Sequence, residues 1–222
     1  MVSKSRWQEA QRAETKFHQE ISRGELELRW IDEEFDSSRD ILDGRVLEVG
    51  CGTGGFTYSV AESVSEVQLV VVVDPVLGKL SNPALRTEPV VQAAGESLPF
   101  EDSSFDVVAS LNLIDHAIHP STILDEISRV LKTDGTFLFK INTFSLPKFV
   151  RKRMKYVDRP HLHHFSPAEV RDELADHGFR IAHESVNSRE LFSRRLNDWD
   201  AKWILATTVL RLNTHYMKCF VD

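Results

Sequence analysis

Several features are scarce in this chain. Cysteine occurs only twice in 222 residues, at Cys51 and Cys219, so no disulfide framework is available. Long apolar runs are missing. The longest, Leu69–Val73, falls far short of the ~20 residues that span a bilayer. Positive charge is in deficit, with 27 Lys and Arg against 34 Asp and Glu and a net charge of -7. That balance excludes a general nucleic-acid binder, which needs a basic surface. Residues 1–20 are polar and lack the apolar centre of an export signal. What is present is ordinary: 41% hydrophobic and 27% charged residues, without repeats or low-complexity tracts. A chain of this length makes one domain with additions and buries about 70% of its unfolded surface. A soluble, cytoplasmic protein is expected.

The first ~40 residues read as helix, with scattered apolar positions (Trp7, Ala10, Phe17, Trp30) and a break at Gly24. Short apolar strands then alternate with helices. Strands are expected at Arg45–Val49, Gln68–Val73, Pro89–Ala93, Phe105–Ser110 and Thr136–Ile141. Helices are expected at Phe56–Val64 and at Ser121–Leu131, the latter with Ser121 as N-cap and Ile123, Leu124, Ile127 and Val130 on one face. This rhythm predicts an α/β fold with a mostly parallel sheet covered on both faces. Beyond it come an irregular basic insertion at Phe144–Phe165, a helix opened by Ser166-Pro167, and a strand at Phe179–Val186. A mostly helical stretch at Asn187–Asn213 and a last strand at Thr214–Val221 complete the pattern.

The chemistry-bearing stretch is Glu48-Val49-Gly50-Cys51-Gly52-Thr53-Gly54-Gly55. Glycines between a strand and a helix let bare backbone approach a ligand at the carboxyl edge of the sheet. The spacing fits both G-x-G-x-x-G, a dinucleotide fingerprint, and G-x-G-x-G. Glu48 discriminates, because its carboxylate suits a cationic amino group and repels a pyrophosphate. Asp74, closing the next strand, suits ribose hydroxyls in either case.

Here the chain resembles the class I S-adenosylmethionine-dependent methyltransferases, in particular the methyltransferase type 11 group. The resemblance runs over roughly Asp43–Lys140. It rests on the glycine motif, Val72-Val73-Asp74, Glu96-Ser97-Leu98-Pro99-Phe100, Ser104-Phe105-Asp106, and Glu126–Lys132 with Asp134-Gly135. His164-Phe165-Ser166-Pro167 and Gly178-Phe179 add a weaker echo. It implies a Rossmann-like sheet of seven strands, the last antiparallel. Residues 1–42 would form a helical cap, 43–143 a cofactor-binding core, and 144–222 the acceptor side. The implied cofactor is S-adenosylmethionine, leaving S-adenosylhomocysteine as product. Gly50, Cys51, Gly52 and Gly54 would cradle its methionine part, with Glu48 facing the ammonium. Asp74 would hold the ribose, Pro75, Glu96, Ser97 and Leu98 would flank the adenine, and Asn112 would lie near the sulfonium. Ala94 stands where the group often has an acid that receives the adenine amino group.

Methyl transfer needs positioning and, for a hydroxyl acceptor, a base. His116, beside Asp115 after the fourth strand, and His163 or His164 in the cluster His161-Leu162-His163-His164 are the candidates. In quinone-biosynthesis O-methyltransferases the pair matching Asp115-His116 is commonly Glu-His, whose acid can help hold a metal; no metal is expected here. The run Lys148–Tyr156 carries five basic residues and no acid, which suits an anionic, glycan-linked or lipid-linked acceptor. The expected reaction is methyl transfer to oxygen, less readily nitrogen, of a small molecule. Two other readings stand beside it: an NAD-dependent oxidoreductase, and a non-catalytic partner protein that binds S-adenosylmethionine.

Overall fold

A computed structural model describes residues 2–21, 42–52, 66–75, 89–156, 158, 160–187 and 212–221, with the backbone alone at 13–21 and 187. The expected helix at Phe56–Val64, Gly54 and Gly55, the break at Gly24, Trp30, and the stretch 188–211 with Trp199 and Trp203 lie outside the described residues. Helix α1 (Lys4–Ile21) is followed by β1 (Gly44–Val49), β2 (Val67–Val73), β3 (Val90–Val91) and β4 (Phe105–Leu111). A short 3₁₀ turn (Ile114–His116), α2 (Pro120–Val130) and β5 (Leu131–Phe144) come next. Then follow α3 (Lys148–Met154), α4 (Pro167–Asp176), β6 (Phe179–Asn187) and β7 (Leu212–Val221).

The seven strands form one sheet in the order β3-β2-β1-β4-β5-β7-β6. Strands β1 to β5 pair in parallel, and β7 lies antiparallel between β5 and β6. This is the expected Rossmann-like arrangement. The strands alternate with period two between two buried layers. Leu47, Val49, Val71, Val73, Val108, Phe137 and Phe139 face one layer with Ile123, Leu124, Ile127 and Val130 of α2 and Val170 and Leu174 of α4. Val46, Val70, Val72, Val107, Ala109 and Leu138 face the other with Leu42, Cys51 and Tyr216. Each such side chain fully buried contributes about 1.5–3 kcal/mol.

Three local expectations need correction. Helix α2 begins at Pro120, not Ser121, and its cap residue His119 makes no side-chain cap bond. Proline suits the first turn because its missing N–H has no partner there anyway, and Ser121 Oγ bonds Glu173 at 3.1 Å instead. Strand β5 runs to Phe144 because β7 pairs with it from Thr136 to Phe144. The insertion is not irregular throughout: it holds α3, whose buried side chains are Arg151 and Met154, while Phe149 is 64% exposed. Helix α4 begins as expected at Ser166, which forms a reciprocal capping box with Glu169.

Candidate active site

The strand order reverses between β1 and β4, and open α/β sheets bind ligands outside the carboxyl ends of the strands at such a switch point. Gly50 follows β1 with φ +78°, and a Cβ there would lie 2.8 Å from Leu113 Cδ1. Only glycine lets the chain turn under Leu113 at this point. The amides of Gly50 and Cys51 donate to Val73 O at 2.7 and 3.3 Å, and Gly52 N donates to Asp74 Oδ2 at 3.0 Å. Gly52 also has positive φ, +53°. Glu48 and Asp74 are both buried. Burial, then the Glu48 and Asp74 carboxylates, push the Cys51 thiol far up from its ordinary value. Two buried carboxylates at neighbouring strand ends give this edge of the sheet negative charge, which disfavours a pyrophosphate.

Asn112 has φ +55°, and its buried Oδ1 has no hydrogen-bond partner among the described residues. A non-glycine residue in the left-handed region with an unsatisfied buried oxygen is strain of the kind that collects at functional sites. Glu96 Oε1 accepts a 3.4 Å bond from His119 N, Ser97 is exposed, and the Leu98 side chain is buried in the core. The exposed Ala94 accepts the Ser97 amide through its carbonyl. Pro75 O receives Gln92 Nε2 at 3.0 Å, so Gln92 is the polar side chain beside Pro75. Sequence reasoning missed Gln92, and also the clamp on the Leu98–Phe100 segment. Glu126 Oε2 accepts Leu98 N at 2.7 Å, and Arg129 donates to Leu98 O, Phe100 O, Asp102 and Glu126.

The structure separates the three candidate histidines. His163 Nε2 lies 3.0 Å from Ala117 O. A carbonyl only accepts, so Nε2–H donates and Nδ1 keeps the lone pair. Burial holds the His163 pKa below its ordinary value, which favours the neutral ring. His164 Nε2 meets Asp158 Oδ2 at 3.0 Å, and His161 Nδ1 meets Asp158 Oδ1 at 2.7 Å. Burial raises the Asp158 pKa, but these two histidines outweigh it and hold the carboxyl well below its usual range. His116 is buried beside Asp115, and its Nδ1 lies 3.3 Å from Pro160 O. Asp115, His116 and His161 form a group that could hold a metal.

His163 and His164 line a cleft of about 1040 Å³ whose walls include Arg6 of α1 and Lys148, Arg151, Lys152 and Lys155 of the insertion. Asp115 O accepts the amides of Leu162 and His163 at 2.8 and 3.0 Å. The 3₁₀ turn after β4 thus ties the cleft wall to the switch-point edge.

Sheet order, glycine turn and paired carboxylates match the arrangement of a class I S-adenosylmethionine-dependent methyltransferase domain. Residues 47–139 match the family described as Methyltransferase domain, which sets aside the dinucleotide alternative. An uncharacterized protein of Methanocaldococcus jannaschii is 29% identical over 145 residues, 64% of this chain and 67% of that protein. The ubiquinone biosynthesis O-methyltransferase of Paraburkholderia phymatum is 28% identical over 118 residues, 51% of this chain and 49% of that enzyme. The chain thus spans about half the length of that enzyme. Among solved structures, the geranyl diphosphate C-methyltransferase of Streptomyces coelicolor, in complex with Mg²⁺, geranyl diphosphate and S-adenosyl-L-homocysteine, superposes with a TM-score of 0.73. It is 12% identical and covers 93% of this chain and 84% of that one. Among the described residues, no helix is long and apolar enough to cross a membrane.

Proposed function

We propose that this chain methylates an oxygen, in preference to a nitrogen, of an anionic small-molecule acceptor. It would use S-adenosylmethionine and release S-adenosylhomocysteine. The residues present fit that cofactor: positive-φ glycines leave room for backbone approach, the buried Glu48 and Asp74 suit an ammonium and ribose hydroxyls, and Asn112 offers an unsatisfied oxygen. The cofactor supplies the methyl group. Pro75 and Gln92, with the clamped segment around Leu98, would border its adenine.

The observation that carries the acceptor class is the charge of the cleft. Five Lys and Arg line it (Arg6, Lys148, Arg151, Lys152, Lys155) against three Glu (Glu9, Glu169, Glu173), although the chain totals -7. Of those acids, Glu169 is already paired with Arg151 and Lys148. A phosphate or carboxylate on the acceptor would meet Lys152 and Lys155, both exposed. His163 is the base this geometry favours: its neutral ring would take the proton that an acceptor hydroxyl loses through Nδ1.

The test is release of S-adenosylhomocysteine across hydroxy compounds with and without a phosphate or carboxylate group. The anionic members are expected to turn over faster. Lys152→Ala with Lys155→Ala should raise KM for them alone, and His163→Gln should lower kcat by about 10²–10⁴ with cofactor affinity kept. Equal turnover of neutral and anionic acceptors overturns the acceptor class. Cofactor binding without turnover of any acceptor favours the non-catalytic reading.

A further inference from the structure

We propose that Asp115, His116 and His161 form a binding site for one divalent transition metal, with Zn²⁺ as the fitting ion. Their ligand atoms lie within 4.8 Å of one another. His116 Nε2 stands 3.9 Å from Asp115 Oδ1, and His161 Nε2 stands 3.6 Å from Asp115 Oδ2. Both distances exceed a hydrogen bond. Ligands held at about 2.0–2.2 Å from a tetrahedral Zn²⁺ sit roughly 3.4 Å apart, so the three groups, now within 4.8 Å of one another, draw together on a cation.

The outer contacts point the rings inward. His116 Nδ1 faces Pro160 O at 3.3 Å, and His161 Nδ1 faces Asp158 Oδ1 at 2.7 Å. Both partners accept, so in the neutral rings Nδ1 donates and the Nε2 lone pairs are directed at the carboxylate. This is the arrangement of metal-ligating histidines, whose second nitrogen is fixed by a carbonyl or carboxylate. An independent sign is Asp115 itself. It is 1% exposed, and its Oδ1 has no hydrogen-bond partner among the described residues. A buried carboxylate oxygen facing imidazole lone pairs is electrostatically unfavourable unless a proton or a metal ion lies between them, and separations of 3.9 and 3.6 Å are too long for an N–H···O bond but leave room for a metal ion.

The ligand set is also held in place. Asp115 O accepts the amides of Leu162 and His163, and the His116 and His161 rings lie 4.5 Å apart. His161 belongs to the insertion and lies outside residues 47–139, so the full set is a property of this chain's own acceptor-side segment. Two imidazole nitrogens and one carboxylate select Zn²⁺ and its neighbours over Mg²⁺ or Ca²⁺, which prefer all-oxygen shells. Three protein ligands leave a position for water or an acceptor oxygen. Only that last role rests on the methyl-transfer reading; the site itself does not.

The test is titration of chelator-treated full-length protein with Co²⁺, read by visible absorption, followed by Zn²⁺ displacement and by metal analysis after dialysis. One equivalent is expected, with a tetrahedral or five-coordinate Co²⁺ spectrum abolished by Zn²⁺. Affinity should fall at least 100-fold in His161→Ala and in Asp115→Asn, and stay unchanged in His177→Ala, a histidine paired with Asp125 elsewhere. If Asp115→Asn does not fold, the half-buried His161 carries the decision. Substoichiometric binding, or unchanged affinity in His161→Ala, overturns the site. S-adenosylmethionine binding, measured separately by calorimetry in His161→Ala and in Asp74→Ala, reports on the cofactor site alone, so the two proposals fail independently.

Discussion

Gly50 shows how one residue sets the geometry of the site. Its φ of +78° and the contact that a Cβ would make with Leu113 at 2.8 Å both demand glycine. Gly50→Ala adds about 1–2 kcal/mol of left-handed strain and pushes the loop off Leu113. The expected result is a folded protein, by circular dichroism, whose S-adenosylmethionine affinity drops at least tenfold in calorimetry; unchanged affinity would show that the turn does not shape the site. Cys51 gives a second check. Burial and the Glu48 and Asp74 carboxylates raise its pKa, and burial pushes Cys219 up to about 12. Neither thiol should react with iodoacetamide at pH 8 in the native protein, while both should in urea, as counted by mass spectrometry. Labelling of Cys51 in the native state would place its thiol outside that carboxylate environment. The glycine spacing and Glu48 were legible in the sequence because backbone approach has few chemical solutions. The positive φ of Asn112 was not, because asparagine does not require that conformation.

At the scale of elements, the 3.6-residue pattern located α2, which buries one face, and short apolar runs located the strands, which are buried on both. The clamp from α2 was invisible for a different reason: Arg129 and Glu126 grip Leu98, Phe100 and Asp102 across a long loop, and sequence does not specify such pairings. The matched Ser104-Phe105-Asp106 segment also divides by role. Phe105 is fully buried, and Asp106 accepts Arg45 N and Lys132 Nζ at 2.8 and 2.6 Å. Those residues open β4, β1 and β5, so this part of the resemblance secures the sheet edge opposite the site. The Arg129 clamp sits at the end of α2 that leads into β5, where Ser103 N and Ser104 N donate to Arg129 O and Val130 O at 2.9 and 2.8 Å, and reaches from there along the Leu98–Asp102 segment. Arg129→Ala removes several charge-assisted bonds, each worth about 1.5–3 kcal/mol when partly buried. Stability should fall by about 2 kcal/mol in urea, with weaker cofactor binding because the Leu98 segment is released from α2. Lost stability with unchanged cofactor affinity would make the clamp purely structural.

On the scale of the whole molecule, the flanks were the least legible part, because α1 and the insertion meet only across the folded cleft. Charge composition concealed this: an acidic chain presents a cleft in which cations outnumber acids. One buried network binds the insertion to the core. Arg151 is 8% exposed and donates to Leu146 O, His164 O and the Glu169 carboxylate. Glu169 in turn accepts Ser166 N and caps α4. Burial raises the Glu169 pKa, but Arg151, Ser166 N and Lys148 outweigh it and bring the value from 4.5 down to about 2. A carboxyl depressed on folding contributes stability in full above its unfolded pKa and loses it as pH falls through the folded one. The network therefore stabilises the protein above about pH 4.5 and fades toward pH 2. Glu169→Gln should lower the urea midpoint at pH 6 and flatten its decline between pH 5 and pH 3, because the variant has no proton to take up there. Other depressed carboxyls, Asp106, Glu126, Asp158 and Glu184, keep some acid sensitivity in both proteins, so the difference between the two pH profiles is the quantity to measure. Parallel profiles would mean that Glu169 takes up its proton equally in the folded and unfolded chains and that Arg151 holds the insertion through its carbonyl contacts alone.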